Sequence, residues 1–433
     1  MTEENLSVKG SPNQVLFGAT LGFFFGFAAV ALFGPTAIKF KDILGLSPQM
    51  LGLLVAMPAL SGSILRIPFS AWVDSAGGRK PFLTLMIIAI FGLIGLSGLV
   101  YLIFENPLYA SQNKASLYYL ILFFGLLSGC GIATFSVGIS QVSYWFPQKR
   151  QGFALGTYAG LGNLAPGIFS FLLPISLVNL GIINSYFIWL GFLIIGTILY
   201  FITGKDSYYF QMLKMGRSRE KAMEFAQSCG QELCPAKSLI DSLKLSAKTL
   251  RTWLLVILYF TTFGGFMALT AWFPTYWTQY FKVSLFVAGS LTATYSILTS
   301  AIRIFGGVIA DKIGGINTSI ISLVLMAVGS FGILFIRNFD FCVLSMIIMA
   351  VGMGVNNAAV FKLVPRMVSN AVGGASGWVG GLGAFGGFVI PPLLGAFVAK
   401  SGSDGYREGF LVFLLLAIFS IAIDIVLKNM AKE

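Results

Sequence analysis

Long apolar stretches alternate with short polar ones along this chain, and one longer polar interruption lies near the middle. Six apolar stretches precede the interruption: α1 (14–38), α2 (49–73), α3 (82–104), α4 (118–146), α5 (152–179) and α6 (182–204). Six follow it: α7 (252–280), α8 (284–310), α9 (316–337), α10 (341–366), α11 (371–399) and α12 (407–427). Each is long enough for the roughly 20 residues that cross a bilayer as a helix. Leu, Ile, Phe and Gly are mixed within them without strict alternation. In lipid the backbone must satisfy its own hydrogen bonds, so this pattern predicts helices and not barrel strands. The expectation is an all-α membrane protein with twelve transmembrane helices. Residues 1–13 hold Glu3 and Glu4 but no basic n-region or A-x-A site, so α1 reads as a retained helix and not a cleaved signal.

Composition narrows the class. Only 10% of the 433 residues are charged, against roughly 25% in soluble proteins. The mean hydropathy is +0.86. A soluble enzyme, a disordered scaffold and a small disulfide-stapled domain are excluded. No stretch is long enough for a separate catalytic domain. The chain has no histidine, so the commonest general base and metal ligand are missing. No cofactor or metal is expected.

The net charge of +12 reflects topology rather than nucleic acid. Of the 28 Lys and Arg, 19 fall on the side of the termini and the 205–251 interruption, and 7 on the other. The positive-inside rule then places both termini in the cytoplasm, in the inner (plasma) membrane. The interruption carries nine basic and five acidic residues. It reads as a cytoplasmic tether with amphipathic helical patches, or as a lipid- or regulator-binding segment. Cys130 and Cys342 fall in helices, Cys229 and Cys234 in the interruption. In reducing surroundings without histidine, all four read as structural.

The two halves repeat. Ser63-x-x-Arg66-Ile67, Asp74 and Gly77-Gly78 match Ser300-x-x-Arg303-Ile304, Asp311 and Gly314-Gly315 at an offset of 237. Gly156-x-x-x-Gly160-Leu161-Gly162 matches Gly377-x-x-x-Gly381-Leu382-Gly383 at an offset of 221. Gly26-Phe27-x-Ala29 and Pro35-Thr36 match Gly265-Phe266-x-Ala268 and Pro274-Thr275. Thus α1, α2 and α5 correspond to α7, α8 and α11. This predicts two pseudo-symmetric six-helix bundles, 1–204 and 252–433, joined by a linker at 205–251, with a site between them.

Two charges break the apolar pattern. Arg66 and Arg303 lie well inside α2 and α8, where insertion costs at least ~2.5–3.5 kcal/mol. Each sits eight residues before its loop Asp, about 12 Å along a helix and too far for direct pairing. One reading is structural, with each Arg bonded to carbonyls or snorkelling. The other places the repeat-related pair across a central cavity that no Asp or Glu neutralises. Asp424, near the cytoplasmic end of α12, is the one acidic residue in a span apart from Glu408 at the opposite edge of α12. A guanidinium fork suits a planar oxyanion. Bound anion would relieve the repulsion and let the halves close, which favours exchange.

Asn163 lies in the Gly run of α5. It can donate to an oxyanion or form an interhelical bond. Phe135, Tyr259 and Phe263 can wall the site. The many glycines of α5 and α11 permit close helix approach.

The loops Asp74-Ser75-Ala76-Gly77-Gly78-Arg79-Lys80 and Asp311-Lys312-Ile313-Gly314-Gly315 resemble the cytoplasmic motif of the major facilitator superfamily. The expected role is a charge latch using Asp74, Arg79, Lys80 and Asp311, weaker in the second copy because it lacks the Arg-Lys pair. A plain membrane-edge turn is the alternative. More narrowly, the chain resembles the nitrate/nitrite porter family of that superfamily over essentially its whole length. Ala159-Gly160-Leu161-Gly162-Asn163-Leu164 looks like its first signature. Gly383-Ala384-Phe385-Gly386-Gly387-Phe388-Val389-Ile390-Pro391 looks like its second. Phe361-Lys362-Leu363-Val364-Pro365 is similar to a segment of assimilatory bacterial members, and Trp145-Phe146-Pro147 with Arg150-Gln151-Gly152 fits the α4–α5 loop.

The resemblance implies the major facilitator fold and transport of nitrate and nitrite. It implies that Arg66 and Arg303 bind substrate, that Asn163 is the signature asparagine near the anion, that Phe135 and Phe263 sandwich nitrate, and that Tyr259 contacts it. The signature departs at Ala165-Pro166, and Pro166 is expected to kink α5. The reading is alternating access with nitrate/nitrite exchange, by a monomer whose partners are the small anion and the lipid bilayer. Nitrate–proton symport, another small anion, and a non-transporting sensor signalling through 205–251 are the alternatives.

Overall fold

The computed structural model describes residues 8–28, 32, 36, 39–40, 43–46, 48–233 and 238–430. Glu3, Glu4, Pro35 and Cys234 lie outside the described residues. Among the described residues there is no strand, and nine helices are long and apolar enough to cross a membrane. They correspond to α3, α4 and α6–α12. The other three predicted spans are short or divided. The described part of α1 is Pro12–Ala28, α2 divides into Pro48–Ile64 and Arg66–Ala76, and α5 breaks after Gln151–Gly162.

Local chemistry accounts for the breaks. Pro166 has no N–H to offer the carbonyl four residues back, and α5 interrupts at Asn163 before resuming at Leu164. Gly181 adopts φ 76°, a region that favours glycine, and turns the chain between α5 and α6, which ends at Thr203. In α7, Leu250–Tyr259 passes into a π-helical turn, Phe260–Gly264, before Gly265–Tyr280. Such turns insert a residue into the helical register and re-aim side chains. The remaining spans are α3 Arg79–Glu105, α4 Lys114–Ser128 and Cys130–Ser143, α8 Leu285–Ile313, α9 Gly315–Phe335, α10 Phe339–Met367, α11 Val372–Ala384 and Gly386–Ser401, and α12 Phe410–Met430.

Packing follows the repeat. Within the first half α1 lies on α6, and α3 on α4. Within the second, α9 lies on α10 and α12. The contacts that join the halves are repeat-related: α5 on α8 matches the second piece of α2 on α11, and α5 on α10 matches the inner piece of α4 on α11. The inner piece of α4, Cys130–Ser143, is buried at every residue. The described residues of 205–251 are largely helical. They form helices Tyr208–Lys214, Arg219–Ser228 and Leu239–Lys248, and the last packs on both α2 and α11.

Candidate functional site

Arg66 begins the second piece of α2, and Arg303 occupies the matching place in α8. Both side chains are buried, about 1% exposed. Among the described residues neither meets a carboxylate. Arg66 donates from Nη1 to the Gly380 carbonyl of α11 at 2.9 Å, and Arg303 donates from Nη2 to the Tyr259 hydroxyl at 3.4 Å. The Nε–H groups of both are buried without a partner. Buried guanidinium donors are normally satisfied, so a matched pair of orphans needs an explanation.

Both cations share the same two rings. The Arg66 Cζ lies 4.9 Å from the Phe135 centroid and 5.5 Å from that of Phe263. The Arg303 Cζ lies 5.6 and 5.7 Å from the same centroids. Phe135 and Phe263 stack 10° from parallel with centroids 5.9 Å apart. Tyr259 stacks on Phe263 at 4.7 Å and 4°. The π-helical turn brings Tyr259 and Phe263, four residues apart, onto this one wall. Arg66 and Phe135 come from the first half, Arg303, Tyr259 and Phe263 from the second, so the cluster lies between them.

Three of the signature glycines hold this wall. A Cβ on Gly383 would come within 2.6 Å of the Tyr259 ring, one on Gly386 within 2.7 Å of the Gly264 Cα, and one on Gly387 within 2.7 Å of the Met267 Cβ. In α5, a Cβ on Gly160 would lie 2.9 Å from the Ser300 carbonyl, and one on Gly162 would run into the Phe23 ring. Asn163 is buried at the break in α5. Its Nδ2 donates to the Ala159 carbonyl at 2.6 Å, its Oδ1 has no partner, and its own carbonyl accepts from Ser300 Oγ at 3.1 Å. The structure thus ties Asn163 to the α8 turn before Arg303. It places one amide hydrogen on the helix and not toward the rings.

The two loop acids act differently from the expected charge latch. Asp74 is buried and accepts from the Gly373 N–H at 2.9 and 3.0 Å, from Gly374 N–H at 3.4 Å, from Tyr144 Oη at 2.5 Å and from Ser242 Oγ. It therefore caps the first turn of α11 from the opposite half, where helix N–H groups lack intrahelical acceptors. Asp311 does the same for α5, accepting from Gly152 N–H at 3.0 Å and Phe153 N–H at 2.8 Å. Arg79 and Lys80 do not join in. The Arg79 N–H donates to Asp206, its guanidinium to the Phe201 carbonyl, and the Lys80 ammonium lies over Trp72, all without crossing to the second half. The second copy does not lack a cation, because Lys362 of α10 pairs with Asp311. Lys362 and Ser242 are contributions that motif reading missed. A repeat comparison searches matched positions, and neither residue has a counterpart at one. Phe361 also went unassigned, though it sits edge-on to Phe135 at 5.1 Å and to Tyr259 at 4.7 Å.

The chain belongs to the Major Facilitator Superfamily, which matches it over residues 19–337 and again over 255–429. It is a multi-pass membrane transporter with the twelve-helix fold of that superfamily, not an enzyme. It is 29% identical to a Thermus thermophilus protein named "Probable nitrate/nitrite antiporter NarK1", covering 97% of this chain and 93% of that one. It is 26% identical to a Staphylococcus epidermidis protein named "Probable nitrate transporter NarT", covering 96% and 95%. The fold is shared with the proton:xylose symporter XylE (TM-score 0.70, 14% identity, 95% of this chain and 94% of that one). It is shared also with the human organic anion transporter MFSD10 (TM-score 0.67, 14% identity, 95% and 100%).

Proposed function

We propose that this protein carries nitrate and nitrite across the membrane by alternating access, exchanging one for the other at a site built from Arg66 and Arg303. One observation supports this most: two buried guanidinium groups, one from each half, flank the same pair of rings and keep their Nε–H donors unused. A flat oxyanion accepts in-plane donors at its edge and presents its faces to the rings. Two van der Waals contacts of ~3.5 Å need about 7 Å between ring planes, so the pair at 5.9 Å must part slightly to admit the ion. Phe263 rides on the π-helical turn, which can absorb such a shift. The names of the two relatives support nitrate over other planar anions.

In this reading residues 1–204 and 252–433 are the rocking units, and 205–251 joins them on the cytoplasmic side of the inner membrane. The carrier works as a monomer. The test is counterflow in proteoliposomes: internal nitrite should drive nitrate uptake, and Arg66→Ala and Arg303→Ala should abolish both uptake and nitrate binding while remaining monodisperse in detergent. Arg→Lys at either position should also fail, because a point charge does not reproduce the fork. Full uptake by either correctly inserted variant refutes the site.

A further inference from the structure

The linker-side end of the second half holds a hollow that the anion site does not use. It lies between the start of α7, the α8–α9 turn and the last turns of α10 and α12, with a volume of about 690 Å³. That is within the roughly 300–1,000 Å³ of small-molecule sites. Three cations line it: Arg251 from α7, Arg366 from α10 and Lys428 from α12. No Asp or Glu is among the described residues that line it. Topological bias collects cations at one end of a bundle, but it does not make three helices bring theirs to one hollow. The partners of these cations are neutral. Arg251 donates to the Met430 carbonyl at 2.8 Å, and Lys428 to Asn317 Oδ1 at 3.0 Å. Arg366 is exposed, and no described residue pairs with it. Two acids close by in sequence are out of play. Asp311 is held by Lys362, Gly152 and Phe153, and Asp424, one turn before Lys428, is buried and does not line the hollow.

The α8–α9 turn adds backbone donors to the same hollow. Gly314 takes φ 86°, and α9 begins at Gly315 with no side-chain cap. Gly315, Ile316 and Asn317 all line the hollow. Their N–H groups find no acceptor among the described residues, and the first helical bond runs from Thr318 N–H to the Gly314 carbonyl at 3.1 Å. Over the 21 residues of α9 the peptide dipoles align, so this end carries partial positive charge. Like charges around one hollow repel one another. A monoanion would leave most of that charge unbalanced. A phosphate monoester brings about two negative charges and three strong acceptor oxygens, which match three cationic heads and an open helix N-terminus.

We propose that this hollow binds the phosphate group of a phosphate monoester. Arg251, Arg366 and Lys428 supply the charge, and the first turn of α9 supplies the backbone donors. The bearer of the phosphate is a soluble phosphorylated molecule or a lipid headgroup of the same chemistry. Every contributing residue belongs to the second half, so the site persists whichever way the halves rock. It shares no residue with the Arg66 and Arg303 cluster and does not depend on the nitrate reading.

Isothermal titration of the delipidated, full-length protein with inorganic phosphate tests it, in phosphate-free detergent solution at low salt, where screening is weakest. Wild type should bind phosphate, and the double variant Arg366→Gln/Lys428→Gln should bind it about tenfold more weakly or not at all. Both side chains are exposed, so the variant should elute and melt like wild type. Arg66→Ala, which removes the proposed nitrate site, should bind phosphate like wild type. In nanodiscs, the source is read by replacing part of the phosphatidylcholine with phosphatidate. Loss of the phosphate heat supports a lipid occupant, and an unchanged heat supports a soluble one. Absence of phosphate binding by wild type overturns the proposal. So does binding that the double variant retains in full, or binding that Arg66→Ala abolishes.

Discussion

Replacing Asp74 by Asn should unbalance the two end states of the carrier. With the halves in contact as in this structure, Asp74 accepts from two backbone N–H groups of α11 and from the hydroxyls of Tyr144 and Ser242, and it is about 1% exposed. Asparagine keeps one acceptor oxygen and turns an amide NH2 toward groups that are themselves donors. Hydrogen bonds to a charged acceptor contribute ~1.5–3 kcal/mol each. The favourable field of a helix N-terminus adds up to ~2 kcal/mol in a partly buried setting. Part of this is recovered because the freed donors reach water once the halves separate. A net loss of ~3 kcal/mol is a reasonable central value for breaking such a site. At 1.4 kcal/mol per decade this is a factor of about 10². A carrier open on the linker side about 1% of the time would then be open about half of the time. Spin labels at Lys149 and Lys312, exposed and on opposite halves, report the change as a second, longer distance in pulsed dipolar spectra. A variant distribution that overlays the wild type, in protein with unchanged helicity and elution, would falsify the latch.

Lys362→Met should act in the same direction but more weakly, since Asp311 keeps its bonds to Gly152 and Phe153. The same label pair should show a smaller open fraction than Asp311→Asn does. Gly373→Ala places a methyl 2.6 Å from Asp74 Oδ1 and against the Ser70 carbonyl, and α11 cannot retreat without losing the cap. Transport should fall at least tenfold, with normal insertion; wild-type rates in proteoliposomes contradict this. Gly383→Ala pushes on the Tyr259 ring from 2.6 Å and should weaken nitrate binding several-fold while leaving the label distances unchanged. Isothermal titration beside the spectroscopic readout separates the two effects.

The twelve-helix plan was legible because burial in lipid demands long apolar runs, and the repeat was legible because Arg66, Asp74 and Gly156 each have a counterpart at a fixed offset. Arg66 and Arg303 stood out because an uncompensated charge in an apolar helix demands a reason; Phe135, Tyr259 and Phe263 came from the family resemblance, and the structure puts the five side chains side by side. What escaped were interactions made by the backbone. Nothing in the sequence marks Gly152 N–H or Gly373 N–H as the partners of Asp311 and Asp74, so the search for opposite charges led to Arg79 and Lys80 instead. Nor does the sequence distinguish the glycines of the cap from those that only let helices approach. The π-helical turn was hidden for a similar reason: Phe260–Gly264 reads as ordinary apolar helix, and the inserted residue is a property of register.

The crossed caps also set an order of events during synthesis. Asp74 and Gly373 are 299 residues apart, so at about 5–20 residues per second the acid is made roughly 15–60 s before the helix end that it caps. Asp311 has no such wait, because Gly152 and Phe153 already exist when it emerges. The α8–α5 seam can therefore form first and orient the incoming helices, while the α2–α11 seam closes only when the eleventh span has entered the membrane. A chain truncated before that span would display a charged, unsatisfied groove at its α2 end. Such a groove gives quality-control machinery a feature by which to distinguish an unfinished carrier from a finished one.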